Sequence, residues 1–491
     1  MENQKNDFLN GPILSPLLRF AGPVLLALFL QAMYGAVDLI VVGKFAGTAD
    51  ISAVSTGSQA MHLVTSLLVG LTTGVTVLLG QKIGKGRPDE AGNVVGSAIC
   101  LFVCVALALT ALLSALTEPF CRLLQAPEEA FVPTTQYVRI CSAGTLFIVA
   151  FNVIGSVFRG LGDSKMPLIT VAIACVTNIF GDLLLVDVFQ MGAAGAALAT
   201  VFAQAVSVIL SLFVIIRRKL PFTFRKEQLR FDRPLTAGIL RLGIPIALQD
   251  VLVGVSFLVI LAIVNSLGLL QSAGMGIAEK VCAFVMLLPS AFSQSVSAFV
   301  AQNTGAGKPE RAKKALRYSV AVSLCISVFV FYFNFFHGDL LAGIFANDHA
   351  VILEAADYLK AYAIDCLLTS FLFCFVGYFS GLGKTVFVMT QGILGAFGVR
   401  IPVSFAMSRL PNVRLFYIGL ATPCSTVVQV LLCLGYLRIW PAGNGAHSLD
   451  AVGAFYWYNF AMVHAILYDC ALSETPGRAL ACPGFFYAIS Y

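Results

Sequence analysis

The sequence predicts an all-α polytopic membrane protein in which twelve transmembrane helices form two pseudo-symmetric six-helix lobes. Apolar residues make up 58% of the 491 residues, charged residues make up only 11%, and the mean hydropathy is +0.89. Ordinary soluble proteins contain about 25% charged residues, so this composition excludes a soluble fold. The length of the apolar runs and a repeated motif predict the number of helices and the two lobes.

Apolar runs recur along the chain with short polar breaks, and each run can cross a membrane as one helix. A helix needs about 20 apolar residues to span about 30 Å of hydrocarbon. Barrel strands need only about 9–11 residues and alternate in polarity, which excludes a β-barrel here. The predicted spans are residues 14–43, 52–80, 92–116, 134–158, 165–188, 192–216, 237–267, 275–300, 314–336, 356–379, 386–408 and 414–437.

Two motifs recur at one spacing in the two halves of the chain. Residues 80–91 read GQKIGKGRPDEA and residues 301–312 read AQNTGAGKPERA, while RGLG at 159–162 matches SGLG at 380–383. Repeats of this size in transporters usually surround a central substrate path. The repeat predicts an N-terminal lobe at 1–220, a cytoplasmic linker at 221–236 and a C-terminal lobe at 237–438. The atypical tail at 439–491 is expected to be disordered or the product of a shifted reading frame.

The distribution of Lys and Arg predicts the orientation of the helices, because short cytoplasmic loops retain positive charge. The loops that lead from an even-numbered predicted span to the next odd-numbered span carry most of the basic residues. They are Lys82, Lys85, Arg87, Arg159, Lys165, the run 217–241, the run 308–317 and Lys384. The opposite loops carry fewer: Lys44, Arg122, Arg139, Lys360, Arg409 and Arg414. Both ends of the twelve-helix core are therefore expected in the cytoplasm, in a multi-pass protein of the plasma membrane. The net charge of +6 reflects this bias and predicts no nucleic-acid partner.

Motifs for nucleotide binding or catalysis are missing from the sequence. There is no Walker A sequence and no dinucleotide fingerprint, and the 13 cysteines show no paired C-x2-C spacing. We therefore predict no cofactor and no enzymatic activity. The energy for any transport must come from something other than a nucleotide.

A few polar residues lie inside the predicted helices, where their burial is costly. A carboxylate at a helix centre costs about 2.5–3.5 kcal/mol on insertion scales, so Asp38 and Asp182 are functional candidates. Asn178 lies one helical turn before Asp182 on the same face, and Thr200 reaches the same depth in the next helix. These oxygen ligands suit a small hard cation, or a carboxyl group can carry a proton. The alternative is that both acids only tie helices together.

The second repeat provides an internal control for these acids. At the spacing of the repeat, Asn178 and Asp182 match Val399 and Val403, and only Thr200 has a like residue, Thr422, which lies one position beyond that spacing. The acids are therefore expected in the N-terminal lobe alone. Arg400, deep in the eleventh span, is expected to cap or pair within its own lobe, with an anion-facing role as the alternative.

The chain resembles the multidrug and toxic compound extrusion family of cation-coupled transporters over residues 12–438. The resemblance rests on the two repeated motifs and on GP at 22–23, Q-x2-Y-x3-D at 31–38, N-x3-D at 178–182 and GAALAT at 195–200. It implies that a Na⁺ or H⁺ coupling site is formed by Asp38, Asn178, Asp182 and Thr200. It also implies that helix one bends at Pro23, and that the drug cleft is lined by Gln31 and Tyr34, together with Asn152. Some members of the family have a second acidic site for the coupling ion. We do not assign such a site to this chain, because the nearest acids, Asp250 and Asp365, are not clearly in register with it.

The function implied by the resemblance is secondary antiport: amphipathic or cationic organic compounds leave as Na⁺ or H⁺ enters, by alternating access of the two lobes. A lipid-linked precursor flippase of the same superfamily is the first alternative, and it predicts a cleft rich in Arg and Lys. A membrane-embedded transferase is the second, although no nucleophile and His or Asp dyad supports it. Expected partners are small organic substrates and the bilayer, with the protein as a monomer. The sequence leaves the choice between Na⁺ and H⁺ open.

Overall fold

The computed structural model describes residues 8–124, 126–217 and 224–439. The predicted tail at 439–491 lies outside these residues except for Ile439, as does the start of the predicted linker at 221–236. Internal contacts divide the chain into Met1–Val430 and Leu431–Tyr491. The second unit is described only as the last turns of a helix that ends at Ile439. Every contact given below lies within the first unit.

The described residues contain helices and no strands, as the composition predicts. The α-helices are α1 Leu14–Phe45, α2 Thr48–Gly84, α3 Pro88–Leu123, α4 Glu128–Ala143, α5 Thr145–Leu161, α6 Lys165–Asp182, α7 Gly192–Arg217, α8 Arg233–Asn265, α9 Leu269–Val285, α10 Leu287–Gly305, α11 Pro309–Phe336, α12 Gly338–Gly343, α13 His349–Gly381, α14 Thr385–Ile393, α15 Ile401–Ser408, α16 Leu415–Gly419 and α17 Ala421–Ile439. Two π-helical segments, Leu183–Val188 and Leu394–Arg400, follow α6 and α14, and a 3-10 turn covers Lys226–Gln228.

The predicted helix number is confirmed, with one span broken in two. Eleven helices or continuous helix pairs in the described residues are long and apolar enough to cross a membrane, and α4 with α5 makes a twelfth if counted together. These two helices meet at Gly144 with a bend of 54°. A Cβ atom at Gly144 would lie 2.4 Å from the Val201 side chain, so α7 packs directly against the bend. The predicted span 134–158 misses the start of α4 because its first turn carries Glu128 and Glu129.

Two separate apolar cores correspond to the two predicted lobes. One cluster of buried residues lies within residues 41–197, apart from Ile239 of α8. The other lies within residues 260–418. Each half of the chain therefore packs mainly against itself, and we call residues before α8 the N-terminal lobe and α8 onward the C-terminal lobe.

The two lobes approach each other most closely through glycines of the repeated motif. A Cβ atom at Gly84, the last residue of α2, would lie 2.0 Å from the carbonyl oxygen of Gln302 in α10. A Cβ atom at Gly305, the last residue of α10, would lie 2.1 Å from the carbonyl oxygen of Gln81 in α2. Only glycine allows the two helix ends to pack backbone to backbone at this distance. We call the side of the bundle at which α2 and α10 end the basic end, because the Lys- and Arg-rich loops follow there.

Two glutamine side chains connect the lobes reciprocally at the basic end. Nε2 of Gln302 donates to the carbonyl oxygen of Gly160 at 3.0 Å, and Nε2 of Gln81 donates to the carbonyl oxygen of Gly381 at 3.3 Å. We call this pair of contacts the glutamine clasp. Each glutamine comes from one copy of the first repeated motif and reaches the second motif of the other lobe. Both repeated motifs thus contribute to one interface.

The backbone of the two repeats is alike at the turns as well. Gly86 and Gly307 have φ angles of 69° and 68°, which is the left-handed region that follows many helix C-termini. A side chain at either position would strain the turn. The duplication inferred from the sequence is therefore present in the conformation of these two loops.

The segment before α1 is held by the C-terminal lobe. Arg311, near the start of α11, donates through Nε to the carbonyl oxygen of Phe8 at 3.0 Å and through Nη1 to that of Gly11 at 2.7 Å. Nζ of Lys308 donates to the carbonyl oxygen of Leu9 at 2.7 Å. The Phe8 ring packs 4.9 Å from the ring of Phe299 in α10. Helix α1 therefore belongs to the N-terminal lobe, while the residues that lead into it are anchored to the other lobe.

We predict that Gly84→Ala destabilises the folded protein by about 1–3 kcal/mol, the usual cost of overpacking a tight contact. The added methyl group meets the backbone of Gln302, which cannot rotate away as a side chain could. The measurement is the thermal unfolding transition of the purified protein in detergent.

Gly254→Ala is the matched control, because a Cβ atom at Gly254 in α8 meets nothing within 4 Å. Alanine has the higher helix propensity, so this variant should unfold at or slightly above the wild-type temperature. Equal transitions for the two variants would contradict the assigned role of the Gly84 contact.

Candidate functional site

Three helices of the N-terminal lobe bring the predicted ion ligands together. Helices α1, α6 and α7 contact one another pairwise. Asp38 lies in the second half of α1, Asn178 and Asp182 lie one turn apart at the end of α6, and Thr200 lies in α7. All four predicted residues therefore meet inside one lobe.

A chain of weak hydrogen bonds crosses the three helices. Nδ2 of Asn178 donates to Oγ1 of Thr200 at 3.4 Å, and Oγ1 of Thr200 donates to Oδ2 of Asp38 at 3.4 Å. Both distances are at the long end for a hydrogen bond. Asp38, Asn178 and Asp182 are 5%, 1% and 0% exposed. The site is therefore shielded from bulk solvent, but the hydrogen bonds between its residues are weak.

Four buried oxygen atoms in the site have no hydrogen-bond donor. They are Oδ1 of Asp38, Oδ1 of Asn178 and both carboxylate oxygens of Asp182. A buried polar atom without a partner costs about 1–3 kcal/mol, and a charged one costs more. The arrangement presents acceptors in excess of donors, which is the chemistry that attracts a proton or a metal cation.

The two carboxyl groups interact with each other directly. Asp182 is influenced by Asp38 through both their charges and their side-chain contact. Two adjacent carboxylates in a low-dielectric site cannot both stay ionised without a compensating charge. A proton shared between them or a cation held between them would remove the repulsion, and Asn178 and Thr200 would supply further oxygen ligands.

The ligand set suits a hard monovalent cation better than a transition metal. In the described chain no group of three or more His, Cys, Asp or Glu residues could hold a metal ion. Carboxylate, amide and hydroxyl oxygens are the ligands of hard cations such as Na⁺ and Ca²⁺. Two carboxylates provide less charge than most divalent-cation sites use, so Na⁺ or H⁺ fits this site.

Helix α6 changes geometry directly after the second acid. It is regular from Lys165 to Asp182 and continues as the π-helical segment Leu183–Val188. Such segments in membrane helices are frequent at functional sites. Asn178 and Asp182 therefore lie on the last regular turns of α6, directly before the change in geometry.

The predicted cleft residues divide into two groups. Gln31 and Tyr34 lie on α1 before Asp38, and the Tyr34 hydroxyl interacts with Gln31 and with Gln204 of α7. Asn152 lies on α5, half-buried, and its Nδ2 donates to the carbonyl oxygen of Ile148 in its own helix at 2.8 Å. The structure thus groups Gln31 and Tyr34 with the ion ligands and shows no hydrogen bond from Asn152 to them.

Pro23 lies within α1, which runs without a break from Leu14 to Phe45. Proline removes one helix hydrogen bond and weakens the helix locally. It separates the anchored start of α1 from the half that carries Tyr34 and Asp38.

Two residues of the site were missed in the sequence. Gln204 follows Thr200 by one turn on the same face of α7, so the i to i+4 spacing could have revealed it.

Tyr137 of α4 is 3% exposed and interacts electrostatically with Asp38 and Tyr34. Its ring packs against Gly57 of α2, so closely that a Cβ atom at Gly57 would lie 2.4 Å from the ring. No local pattern around Tyr137 signals this position.

The two repeats differ in helix geometry within the eleventh predicted span. Gly162 and Gly383, just before α6 and α14, correspond and have φ angles of 81° and 80°. Helix α14 then passes into the π-helical segment Leu394–Arg400, whereas α6 stays regular as far as Asp182. The match of Asn178 with Val399 stays a prediction.

The residues matched by the repeat spacing, Val399 and Val403, are not acidic, and the residues that follow them, Arg400 and Ser404, are not acidic either. Of the two acids named in the C-terminal lobe, Asp250 is exposed while Asp365 of α13 is 2% exposed.

The comparisons with known proteins agree with this architecture. The MatE family model matches residues 23–184 and 245–406, once in each lobe. The probable multidrug resistance protein YoeA of Bacillus subtilis is 25% identical over 86% of this chain and 93% of its own length. A FAD transporter of Shewanella oneidensis is 27% identical over 71% of this chain and 78% of its own length.

Solved structures share the fold. An outward-facing multidrug resistance MATE family transporter superposes with a TM-score of 0.83, covering 89% of this chain and 97% of that one, at 18% identity. The family model covers more than half of the chain and recognises both repeats. This chain belongs to the MatE family of multi-span membrane transporters, the multidrug and toxic compound extrusion family.

Proposed function

We propose that this protein is a cation-coupled antiporter that exports organic compounds as Na⁺ or H⁺ enters through the site of Asp38, Asn178, Asp182 and Thr200. The observation that carries the proposal is the group of four buried acceptor oxygens without donors. A single cation or proton compensates the carboxyl pair and gives the orphaned oxygens a partner.

The ion drives transport if it binds one arrangement of the lobes better than the other. Binding can shift such an equilibrium only through a difference in affinity between the two states. Helix α1 provides the connection, since Asp38 lies on it and its leading residues are held by Arg311 of the C-terminal lobe. Bending at Pro23 would let the Asp38 half move with the ion while the anchored start stays in place.

The positive-inside rule puts the basic end in the cytoplasm. The glutamine clasp and the contacts of Gly84 and Gly305 then close the cytoplasmic side in this conformation. Opening of the clasp, with closure at the opposite end, would complete alternating access. In this scheme both ends of the helical core face the cytoplasm of a plasma-membrane protein that works as a monomer.

The exported compounds are proposed to be amphipathic and often cationic, and one relative is a probable multidrug resistance protein. Because another relative is a FAD transporter, a flavin belongs in any panel of test substrates. The flippase alternative predicts a basic cleft, but Arg400 is 6% exposed and lies inside its lobe. We therefore prefer export of small organic compounds to movement of lipid-linked precursors.

We expect the coupling ion to stabilise the wild-type protein against heat. A ligand that binds only the folded state at about 100 times its Kd adds about 2.7 kcal/mol. Adding Na⁺, or lowering the pH if the ion is a proton, should therefore raise the unfolding temperature in detergent. Asp182→Asn should remove this response, because the neutral amide no longer attracts the ion.

Asp50→Asn serves as the control for the loss of an acid. Asp50 lies near the start of α2, and its Oδ1 accepts a hydrogen bond from the Ala193 backbone N–H at 2.9 Å. Asparagine keeps that acceptor, so this variant should retain the full ion response. An unchanged response in Asp182→Asn would count against the site.

We expect transport in proteoliposomes to follow the imposed ion gradient. An inward Na⁺ or H⁺ gradient should accelerate export of an organic cation by about 5- to 150-fold, the range of typical coupling free energies. Asp38→Asn should abolish this acceleration, because Asp38 is the charged ligand on α1 and its loss disconnects that helix from the ion. Export is measured by fluorescence of the dye with each gradient applied separately, which also identifies the ion.

A second pair of variants tests the hydroxyl ligand. Thr200→Val keeps the shape of the side chain but removes the oxygen, and should raise the ion concentration needed for half-maximal export. Thr200→Ser keeps the oxygen and should behave like the wild type. If gradients of both ions leave export by the wild type unchanged, the antiport mechanism itself is refuted.

A further inference from the structure

The residues that lead into α1 are bound to the C-terminal lobe through their main chain, and we call residues 8–12 the N-terminal strap. The guanidinium group of Arg311, near the start of α11, donates hydrogen bonds to four carbonyl oxygens of the strap. They belong to Phe8, Asn10, Gly11 and Pro12, at distances of 3.0, 3.1, 2.7 and 3.3 Å. Because the planar guanidinium group fixes several acceptors at once, the strap is held as one piece on this lobe.

Two more side chains of the C-terminal lobe complete this attachment. Nζ of Lys308 donates to the carbonyl oxygen of Leu9 at 2.7 Å, and Nδ2 of Asn303 donates to that of Phe8 at 3.1 Å. Asn303 is fully buried and directly follows Gln302 of the glutamine clasp. The strap is therefore attached beside the contacts that connect the two lobes.

The ring of Phe8 extends from the strap to the other lobe. It is 8% exposed and lies 4.9 Å from the Phe299 ring of α10 and 5.3 Å from the Phe20 ring of α1. A Cβ atom at Gly162, in the turn between α5 and α6, would lie 3.5 Å from the Phe8 ring and 3.1 Å from Nε2 of Gln302. These are packing distances, so the ring lies between the lobes next to the clasp.

The segment that leads into α8 also reaches the opposite lobe, but without a buried ring. Nε2 of Gln228 donates to the carbonyl oxygen of Asp89, at the start of α3, at 3.3 Å. The apolar side chains that follow, Leu229 and Phe231, are 51% and 56% exposed. Among the described residues of these two segments, the N-terminal strap is the one that places an aromatic ring in the interface.

A ring in this position opposes separation of the lobes at the basic end. The strap is fixed to the C-terminal lobe, whereas Gly162 belongs to the N-terminal lobe. Opening at the basic end would therefore withdraw Gly162 from the Phe8 ring and expose the ring to water. Exposure of an apolar surface is unfavourable, so the ring favours the conformation that is closed at this end.

We propose that the N-terminal strap is a latch, fixed to the C-terminal lobe through Arg311 and closed on the N-terminal lobe through the Phe8 ring. The inference rests on the alternating access proposed above, in which the basic end faces the cytoplasm. The latch lowers the fraction of molecules that are open to the cytoplasm. It does so through packing, independently of the ion at Asp38.

Hydrogen–deuterium exchange of the purified protein in detergent tests the latch, because amide exchange reports local opening. Phe8→Ala should accelerate exchange in residues 158–163 and 303–308 at the basic end. The expected acceleration is roughly 5- to 30-fold, the factor by which the loss of a modest contact changes an equilibrium. Residues 44–48 and 265–269, in the turns at the opposite end, should exchange more slowly, because that end closes when the basic end opens.

Leu229→Ala is the matched control, since it truncates an exposed apolar side chain in the segment before α8. It should exchange like the wild type at both ends. If Phe8→Ala accelerates exchange equally along the whole chain, the ring contributes only to general stability and the latch is overturned. A basic end that exchanges alike in Phe8→Ala and Leu229→Ala overturns it as well.

Arg311→Lys keeps the test decisive if Phe8→Ala fails to fold. Lysine retains the positive charge but lacks the planar group that reaches four carbonyl oxygens. Faster exchange at the basic end of this variant supports the latch, and wild-type exchange there overturns it. Failure of the proposed function gives a different result: the basic end opens in Phe8→Ala while the opposite end does not close. The latch would then hold the lobes together, and alternating access would be contradicted.

Discussion

The repulsion between two buried carboxyl groups is the constraint on which the N-terminal lobe depends. One carboxylate at a helix centre already costs about 2.5–3.5 kcal/mol, and Asp38 and Asp182 are buried side by side with three of their four oxygens lacking a donor. Other polar groups near them, from Asn178 and Thr200, offer mostly further oxygens. The lobe is therefore expected to be most stable when a proton or a cation lies between the two carboxyl groups. The stability of its packing then depends on whether the site is filled.

This constraint lies on the one helix that is tied to both lobes. Asp38 is in the second half of α1, while the residues before α1 are held by Arg311 and Lys308 of the C-terminal lobe. A change of charge at Asp38 acts on a helix whose far end cannot move freely. Pro23, between the two points, is the position at which α1 has lost a backbone hydrogen bond. The glutamine clasp lies at the same end as the anchored residues, so a shift of α1 would be transmitted to the contacts that hold the lobes together.

Much of this structure could be predicted from the sequence, because a membrane leaves few options for apolar runs of about 20 residues. The four proposed ion ligands could be singled out because charged and amide side chains inside such a run are rare. The repeated Gln, Gly and Pro residues predicted two like lobes, although not that Gln81 and Gln302 would each reach the opposite lobe. The bend at Gly144 depends on the packing of α7, and the role of Tyr137 depends on the space that Gly57 leaves. Neither is encoded in local sequence spacing.

The two lobes differ in charge although their scaffold is duplicated. A constant spacing between repeats assumes that matching helices have equal residues per turn, and each lobe breaks that assumption at a different point, with the π-helical segments Leu183–Val188 and Leu394–Arg400. A duplicated scaffold can thus acquire different electrostatics without a change in topology. The N-terminal lobe buries the two acids of the proposed ion site, whereas the C-terminal lobe buries Asp365 and Arg400. An ion that binds between the two acids would change the charge of one lobe and leave the buried charges of the other unchanged, and such an asymmetry would allow an ion to move one lobe against the other.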